Sequence, residues 1–158
     1  MTKECKQQFT LRITQANKTE MIVILYEMLL AYLDEAKNAH EQSEVQEYRE
    51  ALRKVKGCLD ELQASLNLDY ELAVRLFSLY MYCNRELIKA DIRKETEPLS
   101  NVRRVIENLL SAYRELAKQD TSAPVMQNSQ TVYAGLTYGK NRLSENMAEQ
   151  GTNRGFRA

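Results

Sequence analysis

The run from Asn17 to Ala39, NKTEMIVILYEMLLAYLDEAKNA, limits the fold more than any other part of this 158-residue chain. It reads as helix, yet its apolar residues occupy more than one face. One stripe holds Met21, Leu25, Met28, Tyr32 and Ala36, and a second holds Ile22, Tyr26, Leu29 and Leu33, with Ile24 and Leu30 widening both. A helix that is apolar nearly all round has to be covered nearly all round. Its unbroken apolar part, Met21 to Leu33, contains Glu27 and is shorter than the roughly 20 residues a bilayer span needs. It is therefore expected as the central helix of a soluble bundle. Asn17 can accept from the free N–H groups at the helix start, and Glu20, three residues on, can reach back to complete a capping box.

Four of the five glycines lie at or after Gly135, and Pro98 is the only proline before Pro124, so the first 120 residues are nearly free of helix breakers. A second helix is expected to open at Ser43, with Gln46 as its capping-box partner. Its seam keeps 3,4 spacing through Val45, Tyr48, Leu52, Val55, Cys58 or Leu59, Leu62 and Leu66, with Glu47, Arg49, Glu50, Arg53, Lys54, Lys56 and Glu61 on the wet side. A third helix, about Tyr70 to Arg93, has the seam Ala73, Leu76, Tyr80, Cys83, Leu87 and Ala90. Beside that seam runs a second apolar line, Val74, Phe77, Met81, Ile88 and Ile92, which makes the apolar face wider than a bundle seam requires. The fourth helix starts near Pro98, which is pre-organised for a first turn, and has the seam Leu99, Val102, Ile106, Leu109, Tyr113 and Leu116. Short polar turns between such helices predict an all-α, antiparallel up-and-down four-helix bundle over residues 17–120.

Two ends flank this bundle domain. In residues 1–16, Phe9, Leu11 and Ile13 alternate with polar residues, which predicts an extended N-terminal arm lying along a helix groove. In the C-terminal tail, residues 121–158, Val132, Leu136, Leu143 and Met147 share one helical face, but Gly135 and Gly139 weaken any helix there by about 1 kcal/mol each. Two readings of the tail stay open: a polar disordered segment, or one docked on the bundle as a stand-in for a client helix.

Composition excludes several function classes. Positive and negative side chains balance to zero, so no global field draws the chain to nucleic acid or to an anionic membrane. No apolar run before Lys18 could form a signal-peptide core, and no segment is expected to insert into a membrane, so a cytoplasmic protein is expected. Cys5, Cys58 and Cys83 are odd in number and form no C-x-x-C pair, which suits reduced thiols, with Cys58 and Cys83 as small core residues. His40 is the sole histidine and is expected to be simply solvated at a helix end. One histidine with no Glu-x-x-His motif cannot build a bundle metal centre. With no Gly-rich phosphate loop and no Gly-x-Ser-x-Gly elbow, no enzyme chemistry, metal or cofactor is expected.

Four stretches together resemble the FliS family of flagellar export chaperones. They are Glu20-Met21-Ile22 with Leu25-Tyr26-Glu27, then Glu61-Leu62 with Ser65-Leu66-Asn67, then Glu71-Leu72-Ala73 with Leu79-Tyr80 and Tyr82, and finally Leu87-Ile88-Lys89-Ala90-Asp91. The resemblance spans roughly Phe9 to Gln119. It departs from the family at Asn17-Lys18-Thr19-Glu20, where Ser-Pro-Glu-Glu is usual, and at Leu68-Asp69-Tyr70, where Gly-Gly is common. It implies a cytoplasmic chaperone that binds the C-terminal segment of flagellin, prevents premature polymerisation and delivers flagellin to the flagellar export gate. Phe9, Leu11, Ile13, Val74, Phe77, Met81, Ile88 and Ile92 are the expected partner-binding residues, as the apolar surface beyond the needs of the core. A homodimer paired through the same flank, or a regulatory binder of another flagellar protein, are the alternatives.

Overall fold

The computed structural model describes residues 1–126, and the tail residues Val132, Leu136, Leu143 and Met147 lie outside that range. The described chain is all-helical, with five helices where four were expected: α1 (Lys3–Gln15), α2 (Lys18–Glu41), α3 (Val45–Ala64), α4 (Glu71–Arg93) and α5 (Glu97–Gln119). The helix at α2 begins as its sequence predicts. Asn17 Oδ1 accepts from Glu20 N at 2.9 Å, and Glu20 Oε2 accepts from Asn17 N at 3.0 Å, completing the capping box.

Burial explains why α2 is apolar on several faces. It packs against α3, α5 and α1, so three of its sides are covered. α4 packs against α3 and α5 and does not touch α2 through its backbone, which puts α2 and α4 on a diagonal. Their long side chains meet across it: the hydroxyls of Tyr26 and Tyr80 lie 2.6 Å apart in the core, and the Tyr113 ring stands edge-on to Tyr26 at 5.5 Å. Each buried hydroxyl thus has a partner, which removes the desolvation cost that an unpaired one would carry. Around this pair lie Leu29 and Leu33 of α2, Val55, Leu59 and Leu62 of α3, Cys83 and Leu87 of α4, and Val102, Ile106 and Leu110 of α5. In α5 the core position is Leu110 rather than the expected Leu109, and Leu116 is half-exposed.

The arm is helix, not the extended strand expected from alternation. Thr2 caps it by accepting from Cys5 N at 3.2 Å. Cys5, Phe9 and Ile13 recur every four residues and pack with Ala16, Met21, Ile24 and Met28 against α2, whereas Leu11, the residue that produced the alternating pattern, is 61% exposed. The expected Ser43 cap is also corrected. Ser43 takes a left-handed φ of 59° and closes α2: its N–H reaches His40 O at 3.0 Å, and Glu44 N–H reaches Ala39 O at 2.8 Å. That is a Schellman ending, which uses the residue after the C-cap and leaves Ser43 unable to cap α3. Glu44 stands at the α3 cap without a side-chain bond.

His40 is not merely solvated. Its Nε2 lies 2.7 Å from Lys94 O, its ring packs on Tyr48 at 5.6 Å, and the Tyr48 hydroxyl donates to Ala90 O and Glu95 O. α2 and α3 together therefore satisfy the carbonyls left free at the end of α4, where Lys94 is left-handed. At the other end of the molecule, residues 120–125 return over the elbow between α1 and α2. Asn17 Nδ2 donates to Asp120 O, Thr19 Oγ1 donates to Asp120 Oδ2 at 2.5 Å, and Val125 N donates to Ala16 O at 2.9 Å. Hydrogen bonds from the Ser122 hydroxyl, then from Thr19 and Ser122 N, hold the Asp120 carboxyl down at about 2.

Candidate functional site

The expected partner-binding residues fall into two separate places. Phe9 is buried and Ile13 half-buried under α1, both turned onto α2, and Leu11 faces outward from the same helix. Val74, Phe77, Met81, Ile88 and Ile92 form one exposed line along α4. Since α1 touches only α2 among the described helices, and α4 is diagonal to α2, the two sets do not make a single patch.

The α4 line is the larger apolar surface, and its spacing explains its exposure. Ala73, Leu76, Tyr80, Cys83, Leu87 and Ala90 turn inward and use up the core-facing side. Residues one position later along the helix turn about 100° away, toward α3 and solvent. Gln63 Nε2 of α3 lies 3.6 Å from Met81 Sδ, and Ile88 lines a groove between α3 and α4, which fixes the line on the α3 side of α4. On the α5 side of α4, Glu86 accepts from Lys89 at 2.9 Å and from Asn101 of α5 at 3.2 Å, and these bonds hold its carboxyl below the ordinary range.

Sequence reasoning missed Leu68, Tyr70, Leu72 and Leu79, all exposed at the α3–α4 turn and in the first half of α4. The seven-residue step from Leu72 to Leu79 was the available signal. It was masked because each sits one residue before a seam position, Ala73 and Tyr80. Exposed apolar side chains that gather into a patch mark interaction sites, and Val74, Phe77, Met81, Ile88 and Ile92 share one face of α4.

On the α1 side, polar bonds reinforce the packing. Glu27 of α2 accepts from Arg12 of α1 and from Arg114 of α5 at 3.0 Å. Burial alone would raise the Glu27 carboxyl, but the bonds from Arg12 and Arg114 outweigh it and hold the group below the usual carboxylate range. Burial pushes the Cys58 thiol up to about 11 and the Cys83 thiol to about 12, so these two stay protonated at neutral pH, whereas nucleophiles and metal ligands need the thiolate. No described helix is long and apolar enough to cross a membrane.

Comparison with known proteins adds to this geometry. The family described as flagellar protein FliS matches residues 1–120, which takes in all five helices. Among relatives, the chain is similar to the flagellar secretion chaperone FliS of Bacillus subtilis (strain 168), 25% identical over 108 residues that cover 68% of this chain and 81% of that protein.

Proposed function

This chain belongs to the FliS family of flagellar proteins, and we propose on that footing that it is a cytoplasmic export chaperone for flagellin. In this reading α2 to α5 act as an antiparallel four-helix bundle to which α1 is added. The bundle binds the C-terminal segment of flagellin, keeps it from polymerising and delivers it to the flagellar export gate. The observation that carries the reading is the apolar line Val74, Phe77, Met81, Ile88 and Ile92, which the core does not use. A helix or extended segment laid along that line removes it from water, the driving force for groove-binding peptides.

Isothermal calorimetry with the C-terminal segment of flagellin, at several temperatures, tests this. A segment that folds onto the bundle buries on the order of 1,000 to 3,000 Å², and binding is expected with a clearly negative heat-capacity change. A heat-capacity change near zero, or no binding, defeats it. A mass that rises with concentration in the absence of flagellin would instead support the homodimer.

The arm has its own test. Phe9 and Ile13 cover Met21 and Ile24 of α2, so in this reading α1 holds a face that a long client segment can also use. Deleting residues 1–14 exposes that face. The expected result is a lower thermal midpoint together with flagellin binding at least as tight as before. Weaker binding at an unchanged midpoint would make α1 part of the client site and refute its role as a cover.

A further inference from the structure

The groove between α3 and α4, about 580 Å³ in volume, has walls of different chemistry. Leu52 of α3 and Leu87 of α4 form its floor, and Ile88 stands above them, 58% exposed. Along the α3 wall lie Arg49, Arg53 and Lys56. Their steps of four and three residues keep them on one side of the helix over roughly 10 Å. The carboxylates close by offset this wall only in part. Asp91 meets Arg49 at 3.5 Å but also accepts from Lys94 at 2.9 Å, and Asp60 meets Lys56 at 2.9 Å. Arg53 has no ion pair among the described residues.

We propose that this groove docks an amphipathic helix with carboxylates along one flank: its apolar residues rest on Leu52, Leu87 and Ile88, and its acidic flank lies against Arg49, Arg53 and Lys56. The inference rests on the reading of this chain as a binder of flagellin's C-terminal segment, and it states which chemistry within that segment this groove takes. The arrangement of the cations selects the occupant. A phosphate or other small anion needs donors that converge on one point, whereas these three are strung along a helix beside an apolar floor. A second helix lying alongside presents side chains at the same steps of three and four residues, so its anchors and its carboxylates can be in register with both walls. Charge at such a rim chooses partners and speeds encounter.

Two synthetic peptides test the proposal against the full chain by fluorescence anisotropy. Both carry leucines at positions i, i+4, i+7 and i+11, and one has glutamates on the flank where the other has lysines. The glutamate peptide is expected to bind at least tenfold more tightly, with the gap narrowing as salt is raised. Arg53→Glu, an exposed change, is expected to weaken the glutamate peptide at least fivefold and to strengthen the lysine peptide, and Ile88→Asp to abolish both. Circular dichroism is run on each variant to establish that it folds. Equal affinities for the two peptides, or indifference to Arg53→Glu, overturn the proposal. The flagellin segment is measured in parallel: tight binding that ignores Arg53→Glu refutes this groove assignment and leaves the flagellin reading intact. Failure of that segment beside success of the glutamate peptide refutes the flagellin reading and leaves the groove assignment intact.

Discussion

Replacing Phe77 or Met81 by Asp is expected to weaken binding of flagellin's C-terminal segment at least tenfold while the chain stays folded. Phe77 and Met81 are 36% and 37% exposed on α4, and Met81 lies beside Gln63 of α3, so in the free protein an aspartate at either position has water within reach. Once a client segment covers the line, the same carboxylate is enclosed by apolar groups. Neither Phe77 nor Met81 lines the groove walled by Arg49, Arg53 and Lys56, and Gln63 is the α3 neighbour of Met81. An enclosed charge without a partner costs far more than the 1.4 kcal/mol that a tenfold loss represents. Titration calorimetry of each variant, beside its thermal midpoint, checks this. Unchanged affinity with an unchanged midpoint removes the α4 line from the client site.

The helices and their order were legible in the sequence wherever one face dominated. α3 and α4 keep their seams through Leu52, Val55, Leu59 and Leu62, and through Leu76, Tyr80, Cys83 and Leu87, because each packs into a single core. The multi-faced apolar pattern of α2 was legible for the opposite reason: it called for cover nearly all round, and α1, α3 and α5 supply it. The arm was misread because Leu11 placed an apolar residue between Phe9 and Ile13 and imitated a period of two. Only the depth of burial separates a helix that hides Phe9 and Ile13 from a strand that would alternate all three. The Ser43 error has a backbone cause, since a left-handed ending at a non-glycine residue leaves no mark in composition.

For the candidate site, the sequence could show surplus apolar surface but not its neighbours. Val74, Phe77, Met81, Ile88 and Ile92 fell on one line by spacing alone. That Phe9 and Ile13 lie against the diagonal helix depends on which helix packs on which, a tertiary fact. The cationic wall was hidden in plain view. Arg49, Arg53 and Lys56 belong to the wet face of α3, and charged residues on such a face usually meet only solvent. Their meaning comes from Leu87 and Ile88 lying opposite.

Leu59→Ala and Ile92→Ala should separate the core from the surface with opposite signatures. Leu59 is fully buried among the four packed helices, and its truncation leaves a cavity that close-packed neighbours fill only in part. The expected loss is about 2 to 5 kcal/mol of stability. For a domain of this size that lowers the thermal midpoint by on the order of 10 °C. Below the midpoint the folded fraction still presents the α4 line unchanged, so its affinity for the flagellin segment should hold. Ile92 is 75% exposed, so Ile92→Ala should change stability by less than about 0.5 kcal/mol. Its effect should appear only when a client covers it, as a several-fold loss of affinity, on the order of 1 kcal/mol for an apolar contact at a binding surface. Thermal melts and binding titrations on the same two samples decide the matter. A midpoint that falls with Ile92→Ala would mean that the α4 line serves the fold, and an affinity that survives it would mean that the client lies elsewhere.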